Sequence, residues 1–172
     1  WLGTDPIAGC IGCGACRKEG GMGCFRNDCV NRFAELAAEA DGLIFGTPVH
    51  WASASGAITS FMDRLFFSAG GKLRGKPAAC VTAARRAGTT ATLDQLNKYF
   101  YICGLPIVPS RYWAMVYGSK PDEVAQDEEG LQIMRALAAN MAWMVKSFAA
   151  AKAAGIEPPA LEPLIRKPCR YA

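Results

Sequence analysis

The chain has 172 residues, 51% of them hydrophobic, with 18 glycines and a formal net charge of +4. That is the size of one domain with a substantial core, and it argues against disorder. The basic residues are scattered and not gathered into a block, so nothing calls for a nucleic-acid partner, and phosphate-bearing small molecules fit the charge equally well. No apolar run of about 20 residues is free of turn-formers: the uncharged stretch 43–62 contains Gly46, Pro48 and Gly56. No membrane partner is therefore expected. No signal peptide is recognisable, although the sequence opens at Trp1 without a methionine.

Residues 10–29, CIGCGACRKEGGMGCFRNDC, hold five of the eight cysteines, spaced C-x2-C-x2-C-x7-C-x4-C. Phe33, Leu36, Ala37 and Ala40 then share one helical face. DGLIFGTP reads as a short buried strand, apolar on both faces as central parallel strands are. Ile58, Phe61, Met62, Leu65 and Phe66 recur at helical spacing through about Ala69. GGKLRGK (70–76) mimics a phosphate loop, but Pro77 stands where Ser or Thr belongs, and the segment leaves a helix to enter a strand, so it is a turn. KPAACVTA is a second buried strand, and a helix follows with Thr89 as its N-cap. LPIVPS predicts a third strand near Ile107, succeeded by the aromatic RYWAMVYG. A long helix is expected from about Pro121 to Ala154, with Leu131, Met134, Leu137, Met141, Val145 and Phe148 on its core stripe. Gly155 ends it, and the proline-rich tail should be extended. This alternation is that of an α/β sheet covered by helices on both faces, in one domain: a core of 1–155 and a tail of 156–172.

In such sheets, ligands sit at the carboxyl ends of the strands. FGTPVHWASASGAITSFMDR (45–64) is a strand end, a loop and a helix start. Its small residues Ala52, Ser53, Ala54 and Ser55 let backbone amides approach a flat ligand, Pro48 stiffens the turn, and His50 and Trp51 offer faces for stacking. The cysteines admit several readings. A compact C-x2-C-x2-C array brings three thiolates round one point, as a [4Fe–4S] cube requires, and a later cysteine supplies the fourth corner. Zinc accepts the same four ligands, and a disulfide or redox pair and free thiols also stand. Cys80 and Cys103 read as small hydrophobes, and Cys169 is unassigned.

The string GTPVHWASASGAITSFMDRLF, with CIGCGAC before it and GKPAACVTAARRAGTT after it, resembles the flavodoxin-like NAD(P)H-dependent FMN reductases, including the iron–sulfur flavoproteins. The likeness runs to about Gly118. It implies a flavodoxin-like, doubly wound parallel sheet in three layers. It places Pro48, Val49, His50, Trp51, Ala52 and Ser53 at the FMN ring, and Ala83, Ala84, Arg85, Arg86 and Gly88 across the pocket, with the arginines suited to phosphate. Cys10, Cys13, Cys16 and Cys24 map onto the compact array of the iron–sulfur members.

The expected activity is hydride transfer from NAD(P)H to FMN and reduction of a small acceptor such as a quinone or free flavin. No acid, base or nucleophile is required, in keeping with a single histidine. The alternatives are an electron carrier using FMN and a [4Fe–4S] cluster with a protein partner, and a redox- or metal-sensing module. The resemblance further implies a cytoplasmic homo-oligomer, a dimer or tetramer. Tyr112, Trp113 and Tyr117 are either a subunit interface or core. Family members begin with a strand and a phosphate-binding loop, and Trp1-Leu2-Gly3 looks like the end of the second strand. The first strand is thus expected ahead of this sequence, and no phosphate-binding residues can be named.

Overall fold

The computed structural model describes residues 1–18 and 23–162. After a 3₁₀ turn at Ala15–Arg17 come α1 (Cys29–Glu39), β1 (Leu43–His50), β2 (Ser53–Ala54), α2 (Gly56–Leu73), β3 (Ala78–Ala84), α3 (Thr89–Cys103), β4 (Met115–Tyr117), α4 (Pro121–Val124) and α5 (Glu128–Ala153). The sheet order is β2-β1-β3-β4. β1 and β3 run parallel from Leu43↔Ala78 to Pro48↔Ala83, β3 and β4 are parallel over Thr82↔Met115 to Ala84↔Tyr117, and β2 folds back antiparallel on the end of β1. Phe45 faces the larger core with Phe61, Met62, Leu65, Phe66, Leu96 and Phe100 from α2 and α3, and with Val30 and Ala37 from α1. On the other face of the sheet, Ala79 and Val108 meet Leu137 of α5. The three-layer α/β architecture read from the sequence is therefore present.

Several details differ. Ile107 makes only an isolated bridge to Ala78, because Pro106 and Pro109 flank it and have no N–H to continue a ladder; the third parallel strand is Met115–Tyr117. The helix expected over 121–154 is two. Asp127 breaks it, accepting from Gly130 N at 2.9 Å as the cap of α5 and from Tyr117 N at 2.7 Å. Gly88, not Thr89, is the cap of α3, and Thr89 is buried. On α5, Ile133 and Leu137 are buried while Phe148 is exposed, and on α1 Leu36 is exposed.

β1 is not buried on both faces: it alternates, with Ile44 55% exposed. Trp1–Gly3 forms no strand, although Leu2 packs on the core. Among the described residues, the outer edge of β1 is paired only at Val49 and His50. Cys169 and the tail from 163 onward lie outside the described residues; 157–162 have no regular structure. No described helix is long and apolar enough to cross a membrane.

Phe61 is 1% exposed and meets Phe33 edge-on, ring centroids 5.2 Å apart. Phe61→Ala should cost about 3–5 kcal/mol in urea unfolding; a loss below about 1 kcal/mol would place the core elsewhere.

Candidate functional site

At the carboxyl ends of β1 and β3 the segment expected to be a loop is a tight hairpin. His50 pairs with Ser53, and the two tip residues both have positive φ, Trp51 at 52° and Ala52 at 59°, the conformation that a two-residue turn needs to match strand twist. Trp51 is consequently thrown clear of the protein, 101% exposed. Beneath the tip, Ser53 Oγ donates to Gln95 Oε1 at 2.6 Å, and Ala54 N donates to the same oxygen, tying the hairpin to α3. Thr82 Oγ1 donates to the Thr47 carbonyl at 2.9 Å, and Thr47 Oγ1 to Ser55 Oγ at 3.2 Å, locking β3, β1 and the start of α2 together.

Gly88 has φ +101°, and a Cβ there would stand 2.5 Å from Ala52 Cα and 2.8 Å from Val49 Cγ1. The hairpin and the segment Ala83–Gly88 therefore touch and form one surface, so Gly88 lies against the hairpin and not across a pocket from it. Ala84 is buried within β3, Ala83 pairs with Pro48, and Arg85 and Arg86 are exposed between the end of β3 and Gly88. Open space lies on both sides of this surface. A groove of about 370 Å³ runs along β1 past Thr47, Pro48 and Ser55. A hollow of about 480 Å³ is walled by Gly88, Thr89, Tyr112, Trp113 and Tyr117. Tyr112, Trp113 and Tyr117, left open in the sequence between interface and core, are exposed there.

The second feature is the cysteine loop. Cys10, Cys13, Cys16 and Cys24 line one hollow of about 20 Å³ together with Arg64 and Phe67, whereas Cys29 opens α1 outside it. Gly12 and Gly14, at φ +67° and +70°, let the chain coil tightly between the first three cysteines. Arg17 lies over the Phe67 ring at 4.0 Å.

The anchor is Arg64 of α2, 1% exposed. Its Nη1 and Nη2 donate to Asp28 Oδ2 and Oδ1 at 2.6 and 2.9 Å, and also to the carbonyls of Ala8 and Arg26; its Nε donates to Cys24 Sγ at 3.4 Å. Arg64 holds the Asp28 carboxyl below the usual range, and Asp28 pushes the guanidinium higher still. Asn31 completes the frame, accepting from Cys24 N and donating to the carbonyls of Cys24 and Arg26. None of Arg64, Asp28 and Asn31 was apparent as a site residue in the sequence. The available signal was a cation, Arg64, set inside the apolar stripe of α2 beside Phe61 and Leu65.

Among the described residues no set of three or more Cys, His, Asp or Glu side chains converges to hold a metal, and no described cysteine is in a disulfide. The donor chemistry nonetheless fits a soft metal or an iron–sulfur group: four thiols share one hollow. At about 20 Å³ that hollow is water-sized, so filling it requires the loop to spread.

Comparison with known proteins gives the family and the fold. Residues 6–120 match the family described as NADPH-dependent FMN reductase. An iron–sulfur flavoprotein of Methanocaldococcus jannaschii is 32% identical over 153 residues, covering 84% of this chain and 78% of its own length. A second from the same organism is 29% identical over 140 residues, covering 73% and 69%. Among solved structures, RosB with bound 8-demethyl-8-formylriboflavin-5′-phosphate superposes with a TM-score of 0.57 at 18% identity, over 86% of this chain and 69% of that one. The Trp repressor binding protein from Bacillus subtilis gives 0.51 at 20% identity, over 67% and 70%. These two structures share the fold, which is flavodoxin-like. By class the protein is an FMN-dependent oxidoreductase. The chain belongs to the NADPH-dependent FMN reductase family.

Cys80 is buried on β3, with Sγ 3.1 Å from Asn97 Oδ1, and burial pushes its thiol up to about 12. It stays protonated at neutral pH, and the thiolate is the nucleophile. Iodoacetamide should therefore alkylate Cys10, Cys13 and Cys29 in the native, chelator-treated protein and spare Cys80, as read by peptide mass spectrometry. Native labelling of Cys80 at a comparable rate would contradict the burial of β3.

Proposed function

We propose that this chain oxidises NAD(P)H and reduces a small acceptor, a quinone or free flavin, through bound FMN. The reading rests on family membership and on one observation: the hairpin tip and the Ala83–Gly88 segment form a single surface at the carboxyl ends of adjacent parallel strands, where open α/β sheets bind ligands. Bound FMN supplies the redox chemistry, taking a hydride from the nicotinamide and returning electrons to the acceptor.

The protein's part is positional. Pro48, Val49 and His50 present the end of β1, and the absence of a side chain at Gly88 lets the β3 segment close on Ala52. The exposed Trp51 indole offers a stacking face for the flavin or the nicotinamide. Arg85 and Arg86 stand between the end of β3 and Gly88 as exposed guanidiniums suited to a phosphate. The exposed Tyr112, Trp113 and Tyr117 supply an aromatic surface for a subunit contact in a dimer or tetramer.

A second reading has a specific observation behind it. The four cysteines sharing a hollow would hold a [4Fe–4S] cluster, which makes the protein a carrier of single electrons to a protein partner. Steady-state NAD(P)H oxidation with a quinone or free flavin separates the two. Rapid turnover is expected of the reductase, and negligible turnover without an added protein would establish the carrier. Trp51→Ala should leave the thermal midpoint nearly unchanged, since the side chain touches nothing, and weaken FMN or nicotinamide binding about 2- to 10-fold. Unchanged affinity for both would remove Trp51 from the site.

A further inference from the structure

The Arg64 guanidinium has five N–H donors, and every contact they make falls on the segment from Ala8 to Asp28. The Asp28 carboxylate neutralises the charge, and the carbonyls of Ala8 and Arg26 fix the two ends of the cysteine loop. The fifth donor, Nε–H, is spent on the sulfur of Cys24. A neutral thiol is a weak acceptor, whereas a thiolate or a metal-bound sulfur accepts a charge-assisted bond. A guanidinium withdrawn from water to 1% exposure needs all its donors well used, and a metal-bound sulfur is the better acceptor for this one. Cys29, five residues on, opens α1 outside the hollow and receives no such contact. Arg64 also lies on the helix that starts directly behind the hairpin, about 12 Å along α2 from Gly56.

We propose that Arg64 is the positioning residue of the cysteine site. It fixes Cys24, and not Cys29, as the fourth sulfur facing the C-x2-C-x2-C run, and its Nε–H···Sγ bond raises the reduction potential of the group bound there. The inference rests on the metal-binding reading of the four cysteines. Its physical basis is general: hydrogen bonds to ligating sulfurs and nearby charge set the potential of a metal–thiolate site.

The test is an anaerobic, dithionite-driven redox titration followed by EPR, with iron counted on the same samples, for wild type, Arg64→Gln, Asp28→Asn, Cys24→Ser and Cys29→Ser. Wild type and Cys29→Ser should each hold about four iron atoms per chain, and Cys24→Ser should lose that full complement. Arg64→Gln should shift the potential downward, because the charged donor to sulfur is gone. Asp28→Asn should shift it upward, because the cation remains against Cys24 without its counter-charge. Shifts of the same sign in Arg64→Gln and Asp28→Asn would overturn the proposal, because the electrostatic role requires opposite signs. An unchanged potential in Arg64→Gln at full iron content would also overturn it, while leaving the metal reading intact. Wild type free of iron would remove the metal reading and the proposal together. Should Arg64→Gln fail to fold, the sign of the Asp28→Asn shift decides alone.

Discussion

A guanidinium buried in a protein interior must find an acceptor for each of its N–H groups, or its desolvation is uncompensated. Arg64 meets that requirement with acceptors at Ala8, Cys24, Arg26 and Asp28, and so ties these residues to α2. Val30 and Ala37 of α1 lie in the same core as Phe61 and Leu65 of α2, but Asp28 both caps α1 and pairs with Arg64. The Asp28–Arg64 ion pair thus joins the start of α1 to α2, alongside the Phe33–Phe61 contact and the core packing of Val30 and Ala37. Removing Asp28 would strand the buried guanidinium, the costly case for buried charge, whereas Asp28 is 37% exposed and would keep its contact with water.

The same helix joins the two sites. Its amino end is locked to the strands by the Thr47, Ser55 and Thr82 hydroxyls, and its middle carries Arg64. Its buried face carries Phe61 and Phe66, and Phe66 packs with Phe45 and Phe100 at centroid separations of 5.5–5.9 Å among the three. The hairpin and the cysteine loop are therefore both tied to one helix, α2.

Much of this layout was legible in the sequence. The apolar runs of β1 and β3 and the three- and four-residue spacing in α2 give the α/β alternation, because burial against a sheet imposes those periods. The failures have local causes. The hairpin tip was read as a loop because Trp51 and Ala52 replace the Asn and Gly that normally announce a turn with positive φ. The break before α5 was missed because Asp127 lies among Glu128 and Glu129 and looks like one more exposed acid, yet it caps the helix. β1 was taken as buried on both faces because Leu43, Ile44 and Phe45 follow one another without a polar residue, but burial depends on what covers the strand, and Ile44 is uncovered. Arg64 was the hardest, since in Asp63-Arg64 two adjacent charges have opposite fates: Asp63 is exposed and accepts from Tyr99 Oη, and Arg64 is buried. Only the partners assembled from thirty-six residues upstream reveal which.

The most direct measurement of the central claim is an absorption spectrum of the protein purified without oxygen, with flavin, iron and acid-labile sulfide determined on the same sample. Flavin bands at about one FMN per chain are expected of the reductase, and a broad absorption that bleaches on reduction, with about four irons and matching sulfide, is expected in addition if the four cysteines hold a cluster. A colourless protein that also fails to take up added FMN would contradict it.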